Sequence, residues 1–176
     1  HFDYSYELEH LLEEQGKSEI LSTVRKAIPE AGAVSYTRQQ KPLGLGHAVW
    51  CARRQIQNEP FAVLLADDLI LAKPGCLKQM MNMYNEVGGN LVAIEEVPKE
   101  HTNRYGILDV VDDNGVIVKA RGLVEKPKPV DAPSTLSIIG RYILQPEILS
   151  YLDKKEEGAG GEIQLTDAIA RSIGNI

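Results

Sequence analysis

One apolar run, Phe61-Ala62-Val63-Leu64-Leu65-Ala66, stops on two adjacent acids, Asp67 and Asp68. No other stretch constrains the fold as much. The run does not alternate polar with apolar residues, so it reads as a strand buried on both faces, as in a parallel sheet. Such a strand cannot hold unpaired carboxylates, because desolvating an uncompensated charge is very costly. Asp67 and Asp68 therefore belong at the strand's carboxyl end, where open α/β sheets bind ligands. Adjacent acids there suit a hard cation such as Mg²⁺ held against phosphate oxygens. The other reading is an Asp that merely caps the next turn or helix.

The flanking segments extend this pattern. Tyr6 to Glu14 and Glu19 to Ala27 read as short helices, with apolar stripes of Leu8, Leu11 and Leu12 and of Ile20, Leu21, Val24 and Ile28. Ala33 to Thr37 reads as a strand, and a Pro/Gly loop then leads into a helix running to about Gln57. Pro74 to Val87 is a helix and Gly89 to Val97 the next strand. Strand alternating with helix predicts βαβ units and a mostly parallel, Rossmann-like sheet flanked by helices, with room for mixed strands. The rhythm then changes. Tyr105 to Val111 and Val116 to Ala120 flank Asn114-Gly115, a strong hairpin signal. Leu136 to Leu144 is another strand, Pro146 opens a helix, and Glu162 to Ile169 begins the last one.

The chain of 176 residues is long enough for one domain, and 43% hydrophobic against 25% charged residues supports a packed core. A net charge of −6 argues against nucleic acid as the main partner, though a small phosphorylated ligand needs only a few local donors. Cys51 and Cys76 make no disulfide framework and read as buried, inert thiols in a reducing cytoplasm. No stretch is apolar for the roughly 18 residues a membrane helix requires, and no signal peptide is visible. The opening without Met and the stop at Ile173-Gly174-Asn175-Ile176 suggest a segment of something longer.

Several motifs carry potential chemistry. In Gly44-Leu45-Gly46, at a helix start, backbone N–H groups could face an anion or a base edge, or the glycines could simply make a tight turn. The loop is neither a P-loop nor a dinucleotide fingerprint. Gln39 and Gln40 offer paired donor and acceptor for an amide-like base edge, or are solvated. At Glu125-Lys126 a carboxylate can grip sugar hydroxyls while the ammonium holds a phosphate. An exposed charged turn is the plainer alternative. Gly106 would allow close approach to the backbone, or only start a strand. Asp167, at a helix beginning, is either a second metal carboxylate or a favourable partner of the helix dipole. His1, His10, His47 and His101 show no metal spacing, and Trp50 reads as core.

Taken in order, these pieces resemble the bacterial UTP–glucose-1-phosphate uridylyltransferases, UDP-glucose pyrophosphorylases within the sugar-phosphate nucleotidyltransferases. The resemblance is carried by His1-Phe2-Asp3-Tyr4-Ser5-Tyr6-Glu7-Leu8-Glu9, Pro42-Leu43-Gly44-Leu45-Gly46-His47-Ala48, Leu65-Ala66-Asp67-Asp68, Arg104-Tyr105-Gly106, Val124-Glu125-Lys126-Pro127, Gly140-Arg141-Tyr142 and Gly161-Glu162-Ile163-Gln164-Leu165-Thr166-Asp167-Ala168. It implies a Mg²⁺-dependent, in-line reaction of UTP with glucose 1-phosphate to give UDP-glucose and pyrophosphate. It implies Gln39 and Gly44 at uracil, Asp67 and Asp167 on Mg²⁺, Gly106 and Glu125 at glucose, and Lys126 at its phosphate. Asp67, Lys126 and Asp167 form the expected catalytic set; Asp68 receives no role.

The family's Gly-x-Gly-Thr-Arg-x-x-Pro-x-Thr-Lys loop has no counterpart in these residues. Residues 1–176 are thus expected to be a partial nucleotidyltransferase domain, inactive alone, from a cytoplasmic parent that forms homo-oligomers. Competing readings are a binding module without turnover, a metal-dependent glycosyltransferase, a structural or regulatory paralogue, and a related thymidylyltransferase.

Overall fold

The computed structural model describes residues 2–174; His1 of the opening string and the closing Asn175 and Ile176 lie outside the described residues. The backbone divides into two compact units, His1–Thr37 and Arg38–Ile176.

The first unit is a helical hairpin of α1 (Tyr6–Glu14) and α2 (Ser18–Lys26), turning at Gly16 with φ 65°. Of the two predicted stripes only Leu12 and Leu21 are buried, whereas Leu8, Leu11 and Ile20 are exposed. Two short helices share one narrow seam, so only one line of each stripe is covered. Buried Glu9 accepts a 2.6 Å hydrogen bond from Arg25 Nε through Oε2. The predicted strand at residues 33–37 is irregular chain; its apolar Val34 is exposed and pairs with no strand.

The second unit holds β1 (Phe61–Leu64), β2 (Leu91–Glu96), β3 (Gly106–Asp113), β4 (Val118–Glu125) and β5 (Leu136–Leu144). Its helices are α3 (Leu45–Cys51), α4 (Arg53–Ile56), α5 (Cys76–Val87), α6 (Ile148–Asp153) and α7 (Leu165–Ser172). The helix expected to run to Gln57 is broken at Ala52, and α6 starts two residues after Pro146.

Every strand pair is antiparallel, which corrects the expected mostly parallel sheet. The β1–α5–β2 unit exists, but its two strands do not pair; β5 runs between them in the opposite direction. Alternation of strand and helix reveals a crossover, not which later strand enters the gap. β1 is also not buried on both faces. Phe61 and Val63 are half-buried, Ala62 and Leu64 exposed, so the unbroken apolar run lies on a one-sided strand.

β1 and β2 both pair with Tyr142 and Ile143, so they take opposite edges of β5; β2 and β3 both pair with Ser137. β1 and β3 therefore share one edge and attach at its two ends. Between them lie Ile138 to Gly140, with Gly140 at φ 54° and bonded through its carbonyl to the Leu65 N–H. The core lies along β5: Ile138, Tyr142 and Leu144 pack with Leu108, Ile148, Leu152, Leu165 and Ile169. α7 covers β4 and meets α6 and α3. The Asn114-Gly115 hairpin forms as expected, with Asn114 Oδ1 accepting the N–H groups of Val116 and Ile117.

Candidate active site

The β3–β4 pair carries one group of candidate residues. Gly106 opposes Glu125 in register, at the start of one strand and the end of the other. Glu125 Oε2 accepts a 2.8 Å hydrogen bond from the Thr166 hydroxyl, and Lys126 Nζ stands 3.6 Å from Oε1. The carboxylate is thus held on both oxygens with only 12% of its side chain exposed. A Cβ on Gly106 would come within 2.9 Å of Thr166 Cγ2 and 3.2 Å of Glu125 Oε2, so this position is glycine because the acid and the threonine methyl crowd the backbone. Lys126 adopts φ 46°, a left-handed conformation that costs a non-glycine residue roughly 1–2 kcal/mol. Its N–H donates to Tyr105 O at 2.9 Å, which fixes the turn. Strain of this kind collects at functional sites.

A second group lies on β5. Tyr142 is buried, and burial pushes its phenol up to about 12, with the Glu125 and Asp68 carboxylates adding to the effect. It stays a neutral hydroxyl between the two acids. Arg141, 8% exposed, donates from Nη1 to Leu65 O and to Gly140 O, both at 2.9 Å. These bonds and the Leu65 N–H to Gly140 O bond tie the Asp67-Asp68 turn to the β5 kink. Asp68 Oδ2 would lie 2.9 Å from a Cβ at Gly140, whereas Asp67 is exposed. The predicted metal pair is split between two elements: Asp67 follows β1, while Asp167 occupies the first turn of α7 with its carboxylate against Gly158. Among the described residues no group of three or more His, Cys, Asp or Glu side chains is spaced to hold a metal ion.

A third group of candidate residues lies in the loop before α3. Gly44, at φ 95°, has no room for a Cβ, which would meet Ile163 O at 2.9 Å and Glu162 Cβ at 2.8 Å. Gly46 N–H donates to Ile163 O, and Ile163 N–H donates to Leu43 O, each at 2.8 Å. Backbone-to-backbone contact with residues 162–164 accounts for both glycines. Gln39 Nε2 donates to Gly44 O at 3.0 Å and meets His47 Nδ1 at 2.9 Å. Gln40 is exposed.

Gly106, Glu125 and Lys126 are thus brought together, as are Gln39 and Gly44. Sequence reasoning missed Thr166, Tyr142, Arg141 and His47. Thr166 lies 41 residues from Glu125, and only its place beside Asp167 hinted at it. The two cysteines are half-buried and not joined in a disulfide, rather than buried as expected. Trp50 sits at the core margin, its Nε1 donating to Asp153 Oδ1 at 2.9 Å. A depression of about 530 Å³ between Glu96, Lys99, Asp113 and Ser134 lies apart from all these groups.

A family model described as nucleotidyl transferase matches residues 6–175. The UTP–glucose-1-phosphate uridylyltransferase of Komagataeibacter xylinus is 49% identical over 176 residues, which is 100% of this chain and 62% of that protein. The enzyme of the same name from Bacillus subtilis (strain 168) is 51% identical over 171 residues, 97% of this chain and 58% of that protein. A crystal structure of UDP-glucose pyrophosphorylase complexed with UDP-glucose superposes with a TM-score of 0.87 at 40% identity, covering 99% of this chain and 64% of that one. The chain thus spans about three-fifths of the length of the relatives it matches. With the family match running from residue 6 to residue 175, the chain belongs to the nucleotidyl transferase family.

Proposed function

We propose that the whole protein containing this chain forms UDP-glucose and pyrophosphate from UTP and glucose 1-phosphate. The observation that carries this reading is the 51% identity to a uridylyltransferase over 97% of the chain. The geometry supports it. Glu125, held by Thr166 and Lys126 at a glycine with no side chain in the way, suits hydroxyl recognition, because a carboxylate accepts strong hydrogen bonds. Lys126 supplies a point charge beside it for the sugar phosphate. In the loop before α3, Gln39 and Gly44 take the uracil.

In the reaction a phosphate oxygen of glucose 1-phosphate attacks the α-phosphorus of UTP. The new P–O bond forms as the bond to the bridging oxygen of pyrophosphate breaks. No covalent enzyme intermediate and no proton transfer are needed. The chain's residues hold the two substrates in line and offset the charge between them. Asp67 and Asp167 would hold Mg²⁺. Two carboxylates fit an ion that takes its other ligands from phosphates and water, as Mg²⁺ usually does, rather than a protein cage. When bound, the ion neutralises phosphate charge.

The 176 residues alone, without an Arg/Lys phosphate loop, are the segment that binds rather than turns over. The parent is a cytoplasmic homo-oligomer in this reading; among the described residues no helix is long and apolar enough to cross a membrane. The test is an assay of pyrophosphate release and UDP-glucose formation by the full-length protein with UTP and glucose 1-phosphate. Turnover with dTTP and none with UTP would replace this reading with a thymidylyltransferase.

A further inference from the structure

A primary amide has two N–H donors on nitrogen and lone pairs on oxygen, so its orientation decides what it can read. For Gln39 the nitrogen side is fully occupied. Gly44 O takes one N–H at 3.0 Å, and His47 Nδ1 lies 2.9 Å away on the other. The reverse orientation would set Oε1 against a carbonyl oxygen, lone pair against lone pair. His47 must then carry its proton on Nε2 to leave Nδ1 as an acceptor. Cys51 Sγ is also near Nδ1, but at 3.8 Å it is the longer contact.

The imidazole is itself braced. It stacks on Trp50 with ring centroids 5.6 Å apart and planes 24° from parallel. Trp50 is fixed by its bond to Asp153, by the Arg53 guanidinium 3.5 Å from the ring centroid and by Lys155 Nζ at 4.2 Å. The histidine therefore has a set position as well as a set tautomer.

We propose that His47 is a positioning residue for base selection: together with Gly44 O it saturates both N–H groups of Gln39, leaving only the acceptor Oε1 for a base. An acceptor reads the imide N3–H of uracil or thymine. Cytosine presents an unprotonated N3 at that edge, and with both amide N–H groups engaged it finds no donor. This inference rests on the base binding at Gln39, as proposed above.

The test uses the full-length enzyme and the ratio of kcat/KM for UTP over CTP. His47→Leu frees one amide N–H, and the ratio falls about tenfold, the scale of one hydrogen bond. The KM for glucose 1-phosphate stays as in the wild type. His47→Asn places an acceptor oxygen near the Nδ1 position and keeps the ratio. The wild-type protein gives an independent readout: ¹⁵N NMR should show His47 with a bare Nδ1 and a protonated Nε2. An unchanged ratio in His47→Leu, or a proton on Nδ1, overturns the proposal while leaving UTP as substrate. A wild type that uses no uridine nucleotide overturns both readings.

Discussion

Gly106→Ala tests the crowding at Glu125. The added methyl would stand 2.9 Å from Thr166 Cγ2 and 3.2 Å from Glu125 Oε2. The first distance is below what side-chain carbons tolerate, so Thr166 must move, and its 2.8 Å bond to Glu125 moves with it. Overpacking of this kind costs about 1–3 kcal/mol. Removing a glycine from the unfolded chain returns about 0.4–1 kcal/mol where the backbone permits alanine, and Gly106 lies in a strand without a positive φ. The net loss of stability is thus about 0–2.6 kcal/mol. The larger effect falls on function. Losing a hydrogen bond to a charged group is worth about 1.5–3 kcal/mol, which predicts a KM for glucose 1-phosphate raised about ten- to hundredfold. The KM for UTP should change little. The decisive variant is the double substitution with Thr166→Ser, which keeps the hydroxyl and removes the clashing Cγ2. Steady-state kinetics of the full-length enzyme should show the sugar KM returning towards wild type. A normal KM in Gly106→Ala, or no recovery with serine, would refute the reasoning.

Two further outcomes are expected. Tyr142 is raised to about 12 by burial and by the Glu125 and Asp68 carboxylates, against about 10 unfolded. Its contribution to stability is complete below pH 10 and lost as pH rises from about 10 to 12, roughly 3 kcal/mol in all; urea titrations of wild type and Tyr142→Phe across that range should differ by this slope. Asp67→Ala should abolish turnover in the full-length enzyme without lowering Tm, because Asp67 is exposed; near-wild-type rates across a Mg²⁺ titration would remove it from the metal site.

What could be read from sequence was what is local. The bounds of α1 and β5 were legible because apolar periodicity and flanking breakers lie within the segments themselves, and Asn114-Gly115 announces its own turn. The antiparallel sheet was not legible, because β5 enters between β1 and β2 some 40 residues after β2 ends, at a register that no local pattern encodes. The same holds at the site. Glu125-Lys126 and Gly106 stand out as charged and glycine residues at strand ends. The group that holds Glu125, Thr166, looks ordinary in sequence and gains its meaning only from a contact across the fold. Gly44 and Gly46 read from sequence either as donors to a ligand or as a tight turn, and the space they leave is taken by the backbone of Ile163.

That last contact has a mechanical consequence. Ile163 engages the Gln39–Gly46 loop through both its N–H and its carbonyl, and three residues later Thr166 grips Glu125. One short stretch of backbone thus anchors both the loop before α3 and the hydroxyl that holds Glu125, so a substitution that displaces Ile163 disturbs the two together.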